Sequence, residues 1–412
     1  MRLRSLSLIT LAALTSFACT KARDQGPTST TADEIVDVPQ TDVERQSIGY
    51  TWLYAHANWA ESLHQKASGE SLEVSRSYWM YWQWFDQIAV GTAAQIATGG
   101  NWETANAIVR KYGLVRESSF TASDSPTQLA ARQAAALSII NDSLNGGALG
   151  TLAARHDQAL VRRELDRAWA LTPTVTTMLD RVFGADGSRT FLPMDAPADP
   201  TGTAIQRAEE FDVAYSVSPG ALPVHRKLAQ AVVDWQSVYY APSDHRAFQL
   251  RVQRALADSQ PVIITWFVDF NALEARSGSL LGSFNLATLD QLGPGIQGGH
   301  STVLQTYQAK LEDGRILQAG NQLDPTNNAD KTLLDSALAP STQLEFFRVQ
   351  NMWGSAHPAR AFAPGMPDYH DLYLDYLDGP VKECVVRDGV TDTTSCPTMT
   401  TPLQNVVLPP GY

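Results

Sequence analysis

Thr51 lies where a polar turn meets a helix, a place where the backbone can stabilise negative charge. Gly49 stands near the end of the turn, and apolar residues then recur at helical spacing from Trp52 to Leu63. A side chain at the start of such a helix lies at the positive end of the helix dipole, near free backbone N–H groups. A thiol in this place would have a lowered pKa. The position of Thr51 therefore suits a nucleophile, although the residue itself is a hydroxyl.

A second candidate is His300, the only one of the eight histidines that leads into an apolar, strand-like run. The stretch before it, Gly293 to Gly298, matches the Gly-x-Gly-x-x-Gly pattern of dinucleotide sites. That pattern needs a strand before it and a helix after it, and here a strand follows.

His56 and His64 lie eight residues apart, and the chain has no His-Glu-x-x-His sequence, so a metal site has little support. We expect neither a cofactor nor a metal.

The composition is that of a globular protein with an acidic surface. The chain has 412 residues, of which 44% are hydrophobic and 18% charged, enough apolar surface for a sizeable core. Its formal net charge is −12, and loss of Arg2 and Arg4 with a leader would lower this by two, to −14. This balance argues against nucleic acid as a partner.

The first 40 residues read as a leader and a tether. Residues 1–19 combine a basic start with a short apolar run and end in a sequence similar to a bacterial lipobox, with Cys19 as the acylated residue. An ordinary secretory signal cut nearby is the alternative. Residues 20–40 are rich in Thr, Ser, Asp and Pro, which is typical of a flexible tether. We therefore expect an exported lipoprotein at the cell envelope, held to the membrane by an N-terminal lipid anchor.

The two remaining cysteines, Cys384 and Cys396, lie close together in a Pro/Thr-rich tail, residues 379–412. In an exported protein such a pair is expected to form a disulfide. A zinc site would need histidine partners at tight spacing, and none lies beside them. No cysteine is then left to act as a nucleophile.

Periodicity and turn residues divide the body into helices followed by strands. An aromatic run at residues 77–91 is predicted to be a core helix. The other predicted helices are 103–112 with Gly113 as its end, 126–170 with a break at Gly146–Gly147, 228–238 and 246–258. The predicted strands are 261–269, a run beginning at His300, and 344–354. Residues 172–219 read as a connector with few periodic runs.

Four separated motifs resemble those of papain-like cysteine peptidases, nearest the bleomycin hydrolase branch. In chain order they are Gln46 with Thr51-Trp52, Gly99-Gly100, His300, and Asn351-x-Trp353-Gly354. The resemblance covers most of residues 41–378, and it also implies a short helix after residue 368. It implies an α+β, papain-like fold in which a helical half and a β-rich half flank a cleft.

The resemblance also implies roles for these residues. His300 would be the catalytic base, Asn351 would orient its ring, and Trp353 would shield that hydrogen bond from water. Gln46 would help to hold an oxyanion, and Gly99 and Gly100 would let an extended peptide approach the backbone. Asn321, in an insert at residues 309–343 that is longer than usual for the family, is a rival to Asn351.

Two departures from the family pattern decide the expected function. Thr51 fills the place of the nucleophilic Cys, and Gln46 precedes it by five residues where the family has six. An internal threonine has no free α-amine to act as its base, and its β-branch restricts χ1. We therefore expect an inactive homologue that binds peptides or a partner protein in the cleft. The alternatives are a peptidase that retains activity through Thr51 and His300, and a purely structural surface protein.

Overall fold

The computed structural model describes residues 49–92, 94–121, 124–189, 205–240, 244–275, 280, 282–319, 323, 326–350, 369–387 and 390–412. Helices fill the first part of this chain, and a mixed sheet fills most of the remainder. The fold class is therefore α+β, as predicted.

The helical half is built around the aromatic side chains of its second helix. The helices here are α1 (Thr51–Ser68), α2 (Arg76–Ala89), α3 (Trp102–Tyr112), α4 (Glu117–Phe120), α5 (Pro126–Leu144), α6 (Leu152–His156), α7 (Gln158–Ala168) and α8 (Pro173–Phe183). Trp79, Trp82 and Trp84 of α2 are fully buried. The Trp82 ring stacks on Tyr112 with the centroids 4.2 Å apart. The aromatic run is thus core, as its pattern predicts.

Local capping chemistry sets several helix ends in this half. Asn101 accepts a hydrogen bond from the backbone N–H of Thr104 at 2.9 Å and caps α3. Gly113, with a φ of 71°, ends the same helix as predicted. The predicted break at Gly146–Gly147 is also confirmed, since α5 ends at Leu144 and α6 begins at Leu152.

The predicted connector, residues 172–219, contains regular structure that its composition conceals. Thr172 caps α8, and Pro173 is at the first helical position. Val175, Leu179 and Phe183 are buried at a spacing of four, so this segment carries a short helical stripe of apolar residues. The strand β1 (Asp212–Tyr215) also begins inside this segment and pairs with β2 (Val224–Lys227).

The β-rich half is organised around one mixed sheet. Its strands are β3 (Gln236–Tyr239), β4 (Val262–Asp269), β5 (Ser283–Phe284), β6 (Gln297–Lys310), β7 (Ile316–Leu317), β8 (Gln343–Gln350), β9 (Tyr369–Tyr373) and β14 (Leu403–Leu408). The order is β3-β14-β4-β6-β8-β9-β5, with β7 paired to β6. The helices of this region are α9 (Leu228–Asp234), α10 (His245–Ala257), α11 (Leu286–Leu292), α12 (Asn328–Ala337) and α13 (Leu374–Asp378). The strands predicted at 261–269, from His300 onward and near 344–354 are confirmed as β4, β6 and β8.

The two faces of the sheet bury different cores. Ile263, Val303 and Val407, which are paired neighbours across β4, β6 and β14, pack with the side chains of the helical half. Trp266 and Leu304 belong to a separate core inside the β-rich half. Burial on both faces explains why β4 is a continuous apolar run rather than an alternating one.

Two segments predicted to be helical contain strands. Residues 236–239, at the end of the predicted helix 228–238, leave the helix and pair with β14. Residues 369–373 form β9, which pairs with β8, before the short helix α13 begins. Both segments pair with strands that are distant in sequence, and such tertiary pairing overrides local propensity.

The segment treated as a tail, residues 379–412, contributes to the sheet. Small pairings join β10 (Val381–Glu383) to β13 (Thr398–Thr400) and β11 (Val385–Arg387) to β12 (Val390–Asp392). Beyond them, β14 lies in the main sheet between β3 and β4.

The disulfide predicted between the two C-terminal cysteines is present. Cys384 and Cys396 are bonded, with a sulfur–sulfur distance of 1.99 Å. Among the described residues, no helix is both long and apolar enough to cross a bilayer. The leader and Cys19 lie outside the described residues.

Candidate active site

The start of α1 is held in place by hydrogen bonds of the residue before Thr51. Tyr50 is the N-cap, and its side chain makes no capping bond to the helix. Its hydroxyl instead donates to Gln83 Oε1 at 2.7 Å and accepts from Trp84 Nε1 at 2.5 Å, both on α2. The N-cap side chain therefore does not occupy the first turn of α1, which keeps the positive end of the helix dipole at Thr51.

Thr51 contacts the strand that carries His300. Its Oγ1 accepts a hydrogen bond from the backbone N–H of Ser301 at 3.2 Å, across 250 residues of sequence. The Thr51 side chain is half-buried, whereas Ser301 is buried. Because Ser301 directly follows His300, the fold brings the predicted nucleophile position, Thr51, into contact with the residue next to the predicted base on β6.

His300 is buried, with 3% of its surface exposed. It lies opposite Trp266 of β4 in the antiparallel register, and the two rings meet edge to face with their centroids 5.6 Å apart. The neighbouring strand β8 reaches the same region, since its last residue, Gln350, pairs with Val303. The ring of His300 is thus held by strand pairing and by an aromatic contact rather than by a mobile loop.

The Gly-Gly stretch lies beside the residue that follows Thr51. Trp52 Nε1 donates to the carbonyl of Thr98 at 2.9 Å. A Cβ on Gly100 would lie 2.4 Å from the Trp52 ring, so only glycine fits there, whereas a Cβ on Gly99 would meet open space. Gly100 is therefore packed against the side chain that follows Thr51, and the predicted role of Gly99 and Gly100 in holding a peptide stays a prediction.

Four of the predicted site residues lie outside the described residues, so the structure says nothing of their positions: Gln46, Asn321, Asn351 and Trp353. The oxyanion role of Gln46 and the orienting and shielding roles of Asn351 and Trp353 remain predictions. The described part of the site consists of Thr51, Trp52, Gly99–Gly100, His300 and Ser301.

A buried polar network connects α1, α2 and β8, and the sequence pattern does not predict it. Arg76 of α2 contacts Glu61 of α1 at 2.9 Å, and its Nη2 donates to Asn58 Oδ1 at 2.6 Å. Asn58 Nδ2 in turn donates to Gln350 Oε1 of β8 at 3.5 Å. The first three side chains are fully buried and Gln350 is 1% exposed. Helical periodicity distinguishes an apolar face from a polar face that is expected to be exposed. Because α1 buries every residue from 52 to 63, its polar side chains are buried too, and the sequence pattern does not reveal them.

The described residues contain no group of three or more His, Cys, Asp or Glu side chains placed to hold a metal ion. What the described site offers is a helix start, a hydroxyl that accepts a backbone hydrogen bond from Ser301, and a buried imidazole on the preceding residue of β6, whose ring contacts Trp266. Such an arrangement can stabilise negative charge and position a carbonyl group. Acyl transfer would additionally need a nucleophile stronger than an unactivated threonine hydroxyl.

No family model matches the chain, and no curated protein shows significant similarity to it. A functional assignment therefore rests on the residues themselves and on the geometry that the fold gives them.

Proposed function

We propose that this protein is an exported, papain-like peptidase homologue that has lost its nucleophile and binds an extended peptide or a segment of a partner protein. The observation that carries the proposal is the hydrogen bond between Thr51 Oγ1 and the amide of Ser301. It brings the start of a buried helix to the residue that follows a buried histidine, which supports a nucleophile position and a base position in one site.

The chemistry of Thr51 favours binding over catalysis. A thiol with an ordinary pKa near 8.5 becomes a thiolate beside a helix start and an imidazolium, whereas environmental shifts of about 3–5 units do not ionise an aliphatic hydroxyl near neutral pH. Thr51 Oγ1 is also engaged as an acceptor by Ser301. That hydrogen bond uses one of the lone pairs with which the hydroxyl would attack, and a general base would still have to remove the proton.

Glycines around Thr51 support an extended peptide as the ligand. A Cβ on Gly99, Gly298 or Gly299 would meet no atom of the described residues within 4 Å, so their backbones border space that this part of the chain leaves open. Gly99 follows Thr98, whose carbonyl accepts the hydrogen bond from Trp52, and the other two glycines precede His300 on β6. Exposed backbone groups recognise a peptide main chain in a strand-like pose, largely independently of its sequence. The confirmed disulfide is compatible with the exported location that this function assumes.

The decisive experiment is Thr51→Cys in the full chain. If the site is otherwise intact, the helix start and His300 should lower the pKa of the new thiol below 7 and restore slow peptide hydrolysis. The pKa follows from the pH dependence of iodoacetamide alkylation, with mass spectrometry locating the label at residue 51. Thr51→Ser is the matched control, because it keeps a hydroxyl and removes only the methyl group.

The outcomes separate the competing functions. Hydrolysis by the Thr51→Cys protein alone supports an inherited site that lacks its nucleophile. Equal hydrolysis by the wild type shows instead that Thr51 is catalytically active with His300. A pKa near 8.5 for the introduced thiol, together with no hydrolysis by either protein, would overturn the proposed relation to papain-like enzymes.

A further inference from the structure

Two glycines, Gly298 and Gly299, connect the start of β6 to His300. Glycine has the largest backbone freedom of any residue, so a defined path through this pair needs an anchor at each end. The hydrogen bond between Ser301 and Thr51 supplies one anchor. Strand β4 pairs with both glycines along one edge, while the described pairing of β8 with β6 begins only at Val303.

Gln297 supplies the anchor at the other end, through four hydrogen bonds. Its backbone N–H donates to Thr391 Oγ1 at 3.1 Å. Its side-chain Nε2 donates to the carbonyl of Lys382 and to Asp269 Oδ2, both at 2.8 Å, and its Oε1 accepts from the N–H of Cys384 at 2.8 Å. Three of these four partners lie between the start of β10 and the end of β13, residues 381–400, which we call the disulfide-closed segment.

The orientation of the Gln297 amide is fixed by its partners. Asp269 is fully buried and also accepts from the backbone N–H groups of Asn271 and Gly295. A carboxylate only accepts, so the NH₂ group of Gln297 must face it, and the oxygen is left for Cys384. A glutamate at this position could supply neither donor and would place a carboxylate oxygen against Asp269.

The disulfide acts on this anchor through one residue. Cys384 provides the N–H that Gln297 accepts, and its sulfur is bonded to Cys396. The flanking strands β10 and β13 pair on the two sides of that link, so the bond restricts the backbone next to the donated N–H. Without the bond, the same hydrogen bonds would have to order a freer chain.

We infer that Gln297 is a positioning residue through which the disulfide-closed segment holds the path of Gly298, Gly299 and His300 beside Thr51. The inference rests on the proposed function for the role of the site, and on the hydrogen bonds alone for the coupling. The tail is then part of the site's scaffold, and loss of the disulfide loosens the strand that carries the histidine.

The coupling is measured by amide hydrogen exchange in the full chain. Gln297→Glu, and separately Cys384→Ser combined with Cys396→Ser, should speed exchange in the segment 298–301 by roughly tenfold or more, with β8 unaffected. Gln297→Met keeps the side-chain length without a carboxylate and carries the test if the Glu variant does not fold. Tyr412→Phe is the control, because it removes a hydrogen bond of the same tail to Asp258, away from Gln297.

A second measurement tests positioning rather than stability. In the Thr51→Cys protein, the same changes at Gln297 and at the cysteine pair should move the thiol pKa back toward 8.5, whereas Tyr412→Phe should not. An unchanged exchange rate and an unchanged pKa of the introduced thiol in both altered proteins would overturn the inference. If that thiol has an ordinary pKa before any such change, the proposed function fails, and faster exchange at 298–301 still establishes the coupling.

Discussion

His56 shows how a single residue couples this fold to pH. The ring is fully buried on α1 and packs against three indoles, with centroid distances of 5.1 Å to Trp59, 5.7 Å to Trp79 and 4.7 Å to Trp102. Neither ring nitrogen has a hydrogen-bond partner among the described residues. Burial lowers the pKa of His56 from 6.5 to about 3, so the ring is neutral in the folded protein near neutral pH.

We predict that His56→Phe flattens the acid side of the stability curve. Below pH 6.5 the unfolded chain binds a proton that the folded chain excludes, so the free energy of unfolding falls as pH falls from 6.5 toward 3. The contribution of His56 between pH 6.5 and about pH 5 is roughly 2 kcal/mol, and the Phe variant should lack it. Urea titrations across this pH range provide the measurement.

The buried His370, whose pKa is lowered to about 4, should leave a residual slope in the His56→Phe protein. His225→Phe, which replaces a histidine at an exposed position on β2, is the matched control for the substitution itself. If His56→Phe and wild type have parallel stability curves from pH 6.5 to 5, burial of a neutral ring at position 56 is wrong.

Helix α1 is joined to the sheet by hydrogen bonds of Asn58, and Arg76 determines which end of the Asn58 amide accepts and which donates. A guanidinium only donates, so the oxygen of the Asn58 amide must face Arg76, and its NH₂ group must face Gln350. Glu61 balances the charge of Arg76 in the same buried region. The contact therefore links the helix that begins at Thr51 with the strand next to β6.

We predict that Asn58→Leu lowers the free energy of unfolding by about 3 kcal/mol, because it removes two buried hydrogen bonds at once, one from Arg76 and one to Gln350. Tyr54→Phe is the control on the same helix, since it removes one buried hydrogen bond to Gln133 within the helical half. The control should lose only about 1 kcal/mol. Equal shifts of the urea midpoint in the two variants would show that the connection to β8 contributes nothing.

At the scale of the whole molecule, the last described strand, β14, lies inside the main sheet rather than at its edge. Strand β14 lies between β3 and β4, so it is paired along both edges. Val406 faces the core of the β-rich half, and Val407 faces the helical half. Residues 403–408 thus join the two cores, although they follow a loop-rich segment that reads as a tail.

We predict that Val407→Asp abolishes cooperative folding. The side chain is 1% exposed, and an unpaired carboxylate there would cost several kcal/mol, comparable with the roughly 5–15 kcal/mol that keeps a domain folded. Gln404→Asp introduces the same group at an exposed position of the same strand and should be tolerated. Thermal unfolding followed by circular dichroism distinguishes them, and similar midpoints would mean that the last strand is dispensable.

The sequence by itself determined the features that depend on neighbouring residues. The starts of α1 and α3, the break after α5, the strand β4 and the Cys384–Cys396 bond follow from helical periodicity, glycine and capping residues, an apolar run, and a close pair of cysteines. Each of these signals lies within a short window, where local chemistry decides the outcome.

Only the tertiary structure decided which distant segments meet. Residues 236–239 and 369–373 became strands because β14 and β8 offered them hydrogen-bond partners. The contact of Thr51 with Ser301, the anchoring of Gln297 by the disulfide-closed segment, and the bridge from Asn58 to Gln350 all join residues far apart in sequence. Burial makes such polar pairs obligatory once the two halves pack together, but no local pattern in the sequence states which partner each group will find.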